Sequence, residues 1–200
     1  MAQLTGDNLF LTTELGETRI LFDGVASPMT YAAKGLFGAI VPYAVAGKGT
    51  TEVQVEFKGE RSNRVPVPVV ESAPGLFSLN GSGVGPGAIL DQRGYINSAV
   101  MPAPRGSVVV LYATGEGQTF EPGVDGKLAV TPFPRPVLPV SVAIDGLDSE
   151  VSYAGAAPAQ VAGLMQINVR IPTDARSGEV PLLLRVGQYQ SQTGVTVAVE

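Results

Sequence analysis

Two hundred residues with 13 Lys and Arg against 18 Asp and Glu carry a formal net charge of -5 and no basic cluster, which disfavours nucleic acid and anionic membrane surfaces as partners. Histidine, cysteine and tryptophan are absent, which removes the commonest general base near neutral pH, thiolate metal sites, disulfides and the largest sugar-stacking ring. No stretch reaches the roughly 18 apolar residues that span a bilayer, and the start Met1-Ala2-Gln3-Leu4-Thr5 lacks the basic-then-apolar pattern of a signal peptide.

Glycine and proline recur every few residues and break helical periodicity, so the chain reads as strands separated by turns. Thr18 to Phe22 is a strand that runs into the turn Asp23-Gly24. Val53, Val55 and Phe57 alternate with Glu52, Gln54 and Glu56, which predicts a half-buried antiparallel strand. Val65, Val67 and Val69 alternate with Pro66 and Pro68; proline donates no ladder hydrogen bond, so Val65 to Val70 is placed at a sheet edge. Residues 73–104 differ in character. They open on Ala73-Pro74-Gly75-Leu76-Phe77, pass through the glycine-rich Asn80 to Gly87, and continue into a predicted hairpin turning at Asp91 to Gly94. Leu76, Phe77, Ile89, Leu90 and Ile96 give this linker apolar residues to pack between two flanking units. Further strands are expected over Ser107 to Tyr112, Val137 to Ile144, Met165 to Ile171, Val180 to Val186 and Val195 to Val199.

The second half repeats the first. Ile20-Leu21-Phe22-Asp23-Gly24-Val25 with Tyr31 returns as Val142-Ala143-Ile144-Asp145-Gly146-Leu147 with Tyr153, at an offset of 122 residues. Ile40-Val41-Pro42 answers Arg170-Ile171-Pro172, and Val65, Val67 and Val69 answer Val195, Val197 and Val199. A duplicated stretch of this length is a duplicated structural unit. The fold expected is therefore all-β: two tandem immunoglobulin-like β-sandwiches, residues 1–72 and 105–200, joined by a packed linker with a small hairpin at 73–104. The copies are unequal at the opening strand, cut to Met1 to Thr5 in the first, and between tyrosine and proline, where the second carries about eight extra residues within Gly155 to Met165.

Ala73-Pro74-Gly75-Leu76-Phe77, Gly87-Ala88-Ile89-Leu90-Asp91, Asn97-Ser98-Ala99, Arg105 to Gly115 and Gln166-Ile167-Asn168-Val169 resemble the uncharacterised C-terminal domain family of exported acidobacterial (Solibacter-type) proteins. The single units are similar to IPT/TIG immunoglobulin-like domains, with the opening turn at Gly6-Asp7-Asn8 and again at Gly115-Glu116-Gly117. The first unit departs from the pattern in its short opening strand and in Phe37-Gly38-Ala39, which replaces Gln-Ile-Asn. The resemblance implies an exported, non-catalytic β module and brings no ligand, cofactor or catalytic residue to transfer.

Chemistry read from the residues is sparse. Gly81-Ser82-Gly83-Val84-Gly85-Pro86-Gly87 has the glycines of a phosphate loop without the helix or Gly-Lys-Ser/Thr that such a loop serves. The paired Asp23-Gly24 and Asp145-Gly146 are read as tight turns; the rival reading, a calcium site, would draw on Asp7, Asp148, Glu150 or the loop Glu121 to Asp125. Ser82 and Ser107 have no histidine partner, and Lys34, Lys48, Lys58 and Lys127 sit in no serine-lysine motif. No catalytic, cofactor or metal residue is assigned. Tyr31 and Tyr153 occupy equivalent positions and are read as packing; Tyr43, Tyr95, Tyr112 and Tyr189 are freer, and of these Tyr43, Tyr95 and Tyr189 are taken as candidate glycan or partner contacts. The functional expectation is a non-enzymatic structural or adhesive module of an exported or cell-surface bacterial protein, meeting a protein or glycan there. The alternatives are a filament subunit assembled by strand addition at an exposed edge, and a carbohydrate-binding module.

Overall fold

The structure, a computed structural model, describes residues 4–5 and 9–200. The Gly6-Asp7-Asn8 turn and Met1 to Gln3 lie outside the described residues. The described chain is all-β. Its first part contains β1 (Leu4–Thr5), β2 (Phe10–Leu11), β3 (Thr18–Phe22), β4 (Val25–Ala26), β5 (Met29–Ala33), β6 (Leu36–Ala39), β7 (Thr50–Phe57), β8 (Glu60–Arg61) and β9 (Val65–Pro68). The second contains β10 (Gly75–Leu76), β11 (Gly85–Pro86), β12 (Ile89–Asp91), β13 (Val108–Thr114), β14 (Thr119–Phe120), β15 (Arg135–Pro136), β16 (Val140–Ile144), β17 (Leu147–Ser149), β18 (Val151–Ala156), β19 (Met165–Arg170), β20 (Gly178–Val186), β21 (Tyr189–Gln190) and β22 (Val195–Val199).

Unit two is an immunoglobulin sandwich. One sheet runs β10-β13-β19-β18 with β12 also on β13, and the facing sheet runs β11-β22-β20-β16-β17 with β21 on β20. These are the A-B-E-D and G-F-C layers of that fold, with β17 added beside C and β11 added parallel to G. The strands form because their side chains alternate. Val109, Leu111 and Ala113 of β13 meet Met165, Ile167 and Val169 of β19, and across the sandwich lie Val142, Ile144, Leu182, Leu184, Val186, Val195 and Val197. Each such buried aliphatic side chain contributes about 1.5–3 kcal/mol.

Residues 73–104, expected as a linker between sandwiches, contribute three short strands to unit two's sheets. β10 and β12 pair antiparallel with β13, and β11 pairs parallel with β22. Leu76 and Ile89 enter unit two's core, whereas Phe77 and Ile96 are exposed. The predicted hairpin is present: the Gly94 amide donates to Asp91 O at 3.0 Å, and Leu90 bridges to Ile96. Glycine and proline look like loop in the sequence, but here they permit close strand approach. A Cβ on Gly87 would meet Ile89 and Val195.

Unit one repeats part of this plan. β3, β4, β7, β8 and β9 pair as β16, β17, β20, β21 and β22 do, and the β5-β6 hairpin stands where β18 and β19 stand. Among the described residues, β1 and β2 pair only with each other as strands, and no strand lies beside β6 as β13 lies beside β19. The Asp-Gly turns are the same in both units, with φ of 51° and 85° at Asp23 and Gly24 and 56° and 76° at Asp145 and Gly146. As expected, β9 has one partner, β7, among the described residues. No helix of the described residues is long and apolar enough to cross a membrane.

Candidate functional site

The two units meet at a hydrogen-bonded joint built from the segments in which the copies differ. The long excursion between β14 and β15 brings residues 126–128 alongside β2: the Leu11 amide donates to Gly126 O at 2.8 Å and the Leu128 amide to Leu9 O at 2.7 Å. On its other side this excursion bonds to the stretch that the first copy lacks. The Ala129 amide donates to Gln160 O at 2.7 Å and the Ala162 amide to Lys127 O at 2.9 Å. The extra residues of the second copy thus support the strip that holds the first.

Side chains lock the same joint. Tyr43, on a 3-10 turn of unit one (Tyr43–Val45), donates its amide to Asp125 Oδ1 at 2.9 Å and its hydroxyl to Glu116 Oε1 at 2.6 Å; Gln118 Nε2 donates to the Tyr43 carbonyl at 3.1 Å. Glu116 is only 2% exposed. Its Oε2 is buried without a hydrogen-bond partner, and burial pushes the carboxyl above its ordinary range although the Tyr43 hydroxyl pulls it down. Burial and the neighbouring Glu116 charge raise the Tyr43 phenol.

The Gly115-Glu116-Gly117 turn is what places this carboxylate. A Cβ on Gly115 would strike the Ala73 carbonyl and one on Gly117 the Glu71 carbonyl, so only glycine lets the crossing chain pass on either side of Glu116. Ser72 Oγ then donates to Gly115 O at 2.6 Å. A cleft of about 250 Å³ opens beside the joint, with Tyr43, Glu116, Glu121, Lys127, Pro132 and Pro134 in its wall.

Of the three tyrosines expected at a contact surface, Tyr43 lines this cleft with its hydroxyl committed to the joint. Tyr95 is exposed on the β12 hairpin, and Arg93 lies over its ring at 5.2 Å. Tyr189 is half-buried on β21 and accepts from Gln188 Nε2 at 3.3 Å. Neither lines the cleft with Tyr43. The packing role expected for both Tyr31 and Tyr153 divides: the Tyr153 hydroxyl bonds the Ala156 carbonyl at 2.8 Å, whereas Tyr31 is exposed where its sheet lacks a covering strand.

The paired aspartates are turn residues that each grip a basic partner. Asp23 accepts from the Glu52 amide at 2.8 Å and Lys48 Nζ at 2.6 Å, and these hold its carboxyl down at about 2. Asp145 is held at about 2 by the Arg176 guanidinium, then by the Arg176 amide. Their oxygens already face cations. Glu150 likewise pairs with Arg170 at 2.9 Å, Asp7 lies outside the described residues, and no group of three acidic side chains placed to hold a metal occurs among the described residues.

Ser82 Oγ bonds Asn80 at 2.7 Å and Ser107 Oγ the Pro104 carbonyl at 2.6 Å, neither with a lysine. The glycine-rich run is a set of bends that ends in strand β11, not the lead into a helix that a phosphate loop serves: the Gly85 amide donates to Gly194 O at 2.7 Å and the Gly87 amide to Thr196 O at 2.9 Å. The sequence reading missed Glu116, Gln118 and Asp125 as a joint, although an acid between two glycines of the duplicated turn was its one visible signal.

Fold and joint define a tandem of immunoglobulin-like β units, the first without, among the described residues, the strand that flanks β6's counterpart in the second. No family model matches the chain, and no curated protein matches it. Among solved structures it is similar to SGBP-B of the mixed-linkage glucan utilization locus of Bacteroides ovatus, in complex with a mixed-linkage heptasaccharide, at 14% identity over 96% of this chain and 40% of that one, with a TM-score of 0.30. It is also similar to a chimeric titin Z1Z2-Z1Z2 tandem carrying a GRGDS peptide from fibronectin, at 16% identity over 98% of this chain and 87% of that one, with a TM-score of 0.26.

Proposed function

We propose that this chain is a non-enzymatic structural or adhesive module of an exported or cell-surface bacterial protein, of the Solibacter-type family that its motifs resemble, and that it acts by holding two β units at a fixed mutual orientation. The observation that carries this reading is the joint, where backbone bonds from β2 and the contacts of half-buried Tyr43 with Asp125 and the buried Glu116 cross between units. Glu116 is read as a joint residue and not as a glycosidase acid paired with Glu121, since it is 2% exposed and its Oε1 is bonded to the Tyr43 phenol across the units. Glycan binding is less favoured, since Tyr43 is committed to the joint, Arg93 lies over one face of the Tyr95 ring and Tyr189 is half-buried. Assembly by strand exchange between copies is less favoured, since among the described residues β10 to β22 are all paired and unit two would have to open to donate one.

Residual dipolar couplings test the rigid joint. One alignment tensor is expected to fit both units, and Tyr43→Ala with Asp125→Ala is expected to split it into two. Two tensors in the unaltered chain would sink the reading.

A further inference from the structure

The same inner face is sealed in one unit and only partly covered in the other, where Thr18, Ile20 and Thr51 are buried and the residues beside them are exposed. Val53, Val55 and Phe57 lie across from Phe22, Ile20 and Thr18 as Leu182, Leu184 and Val186 lie across from Ile144, Val142 and Val140. Val65 and Val67 on β9 take the places of Val195 and Val197 on β22. Phe57, Val65 and Val67 are 51%, 50% and 40% exposed, whereas Val186, Val195 and Val197 are each at 0%. The cover in unit two includes β13, whose Val109, Leu111 and Ala113 are buried in the core while its backbone pairs with β19.

Unit one presents the matching edge. The Ile40 amide bonds to Pro28 O at 2.8 Å, which sets the hairpin register so that Phe37 and Ala39 turn their N–H and C=O groups away from β5. This is the side that β13 occupies on β19. Two of unit one's edges, β9 and β6, are not treated alike. On β9 the Val69 amide donates inward to Gly49 O, so Pro66 and Pro68 hold the outward positions and block strand addition. The β6 sequence Leu36-Phe37-Gly38-Ala39 has neither proline nor charge.

We propose that β6 accepts an extended strand of β13 chemistry, with branched apolar side chains at alternate positions, supplied by a separate polypeptide of different sequence, since this chain's own strand of that kind is closed into unit two. The strand pairs with Phe37 and Ala39 and lays its apolar side chains over the open valine face, in the manner of β-augmentation. A second copy cannot donate its own β13 without opening its core. The proposal is independent of the joint, and its failure would leave the rigid module untouched.

The test titrates the intact chain with a synthetic peptide of Gly106 to Thr114, lysine-tagged for solubility, followed by fluorescence anisotropy and amide NMR shifts. Saturable binding is expected, with shifts at Phe37, Ala39, Val55 and Val65 and none across Met165 to Arg170. A peptide with Val109→Asp and Leu111→Asp is expected to bind on the order of tenfold weaker or worse. Phe37→Pro in the chain is expected to abolish binding while keeping the β5-β6 bonds, and the exposed Val65→Asp repeats the test if Phe37→Pro fails to fold. The proposal is overturned by no saturation up to about 1 mM, by equal binding of the aspartate peptide, or by shifts centred on β19. It is equally overturned if Phe37 and Ala39 amides are already protected from exchange, either in the free monomer or in a dimer that forms as concentration rises.

Discussion

Val195 and Val65 hold the same place in two copies of one strand pattern, yet the first is sealed in a core and the second is half in water. Their own sheets do not explain this, because β7 pairs with β3 and β9 as β20 pairs with β16 and β22. The cause is the opposite layer. Unit two draws β10, β12 and β13 over its valines, and unit one has the β5-β6 hairpin alone among the described residues. Burial is thus conferred by a strand distant in sequence, and local alternation can write a core face without closing it.

The contrast is broken or sharpened most strongly by matched truncations. Val195→Ala is expected to cost about 2 kcal/mol through lost burial and cavity formation, whereas Val65→Ala should stay within about 0.5 kcal/mol. Urea unfolding of both variants decides this, and equal losses would mean that the face of unit one is closed in solution. Next comes the joint, the one place where the weak unit borrows from the strong one. Tyr43→Phe removes the only hydroxyl donor to Glu116 seen here and leaves a buried carboxylate unmatched, at an expected cost of about 1–2 kcal/mol. Unit one's transition should move earlier than unit two's in a residue-resolved melt; a uniform shift would contradict the asymmetry.

A smaller effect follows from the charge on Glu116. Its folded pKa is raised, so its stabilising contribution is complete below the unfolded value of about 4.3 and is lost as pH rises through the folded one. Glu116→Gln should flatten that decline and melt higher than the parent at neutral pH, and a lower melting temperature there would count against burial as the dominant influence. The smallest effects belong to the features the copies share. Asp23 and Asp145 sit near 2 when folded against about 3.9 unfolded, so each contributes above pH 4 and its contribution fades as pH falls toward 2. Asp23→Asn and Asp145→Asn should flatten the acid limb of stability to a similar, modest degree, and a large difference between them would show that the turns are not equivalent.

Much of the scaffold was legible because it is local. The alternating valines gave β7, β9 and β22; Asp23-Gly24 and Asp145-Gly146 gave their turns; Pro66 and Pro68 gave the edge. What escaped depends on distant partners. β11 reads as a glycine loop until β22 lies beside it more than a hundred residues later. The β18 strand, Val151–Ala156, carries serine, tyrosine and glycine in place of clean alternation and drew no prediction. Tyr43 and Asp125 stand 82 residues apart, with nothing in either local pattern to join them. The inequality of the copies was visible as a short opening strand and extra residues after Tyr153. Its meaning as an open face and a joint was not, because both are properties of closure between layers.

The pairing of β11 beside β22 also bears on mechanics. These neighbours run parallel; β11 follows β10 near the start of unit two, and β22 is the last strand described. Tension between residue 73 and residue 200 therefore pulls the two strands past each other. The Gly85 to Gly194 and Gly87 to Thr196 bonds, with the Ala103 to Ala198 and Glu200 to Ala103 bonds beside them, are loaded together in shear instead of being peeled one after another. Under load the end that bears this clamp should yield abruptly, while unit one, with its β3 and β7 hairpin partners free to unzip in turn, should give way at lower force.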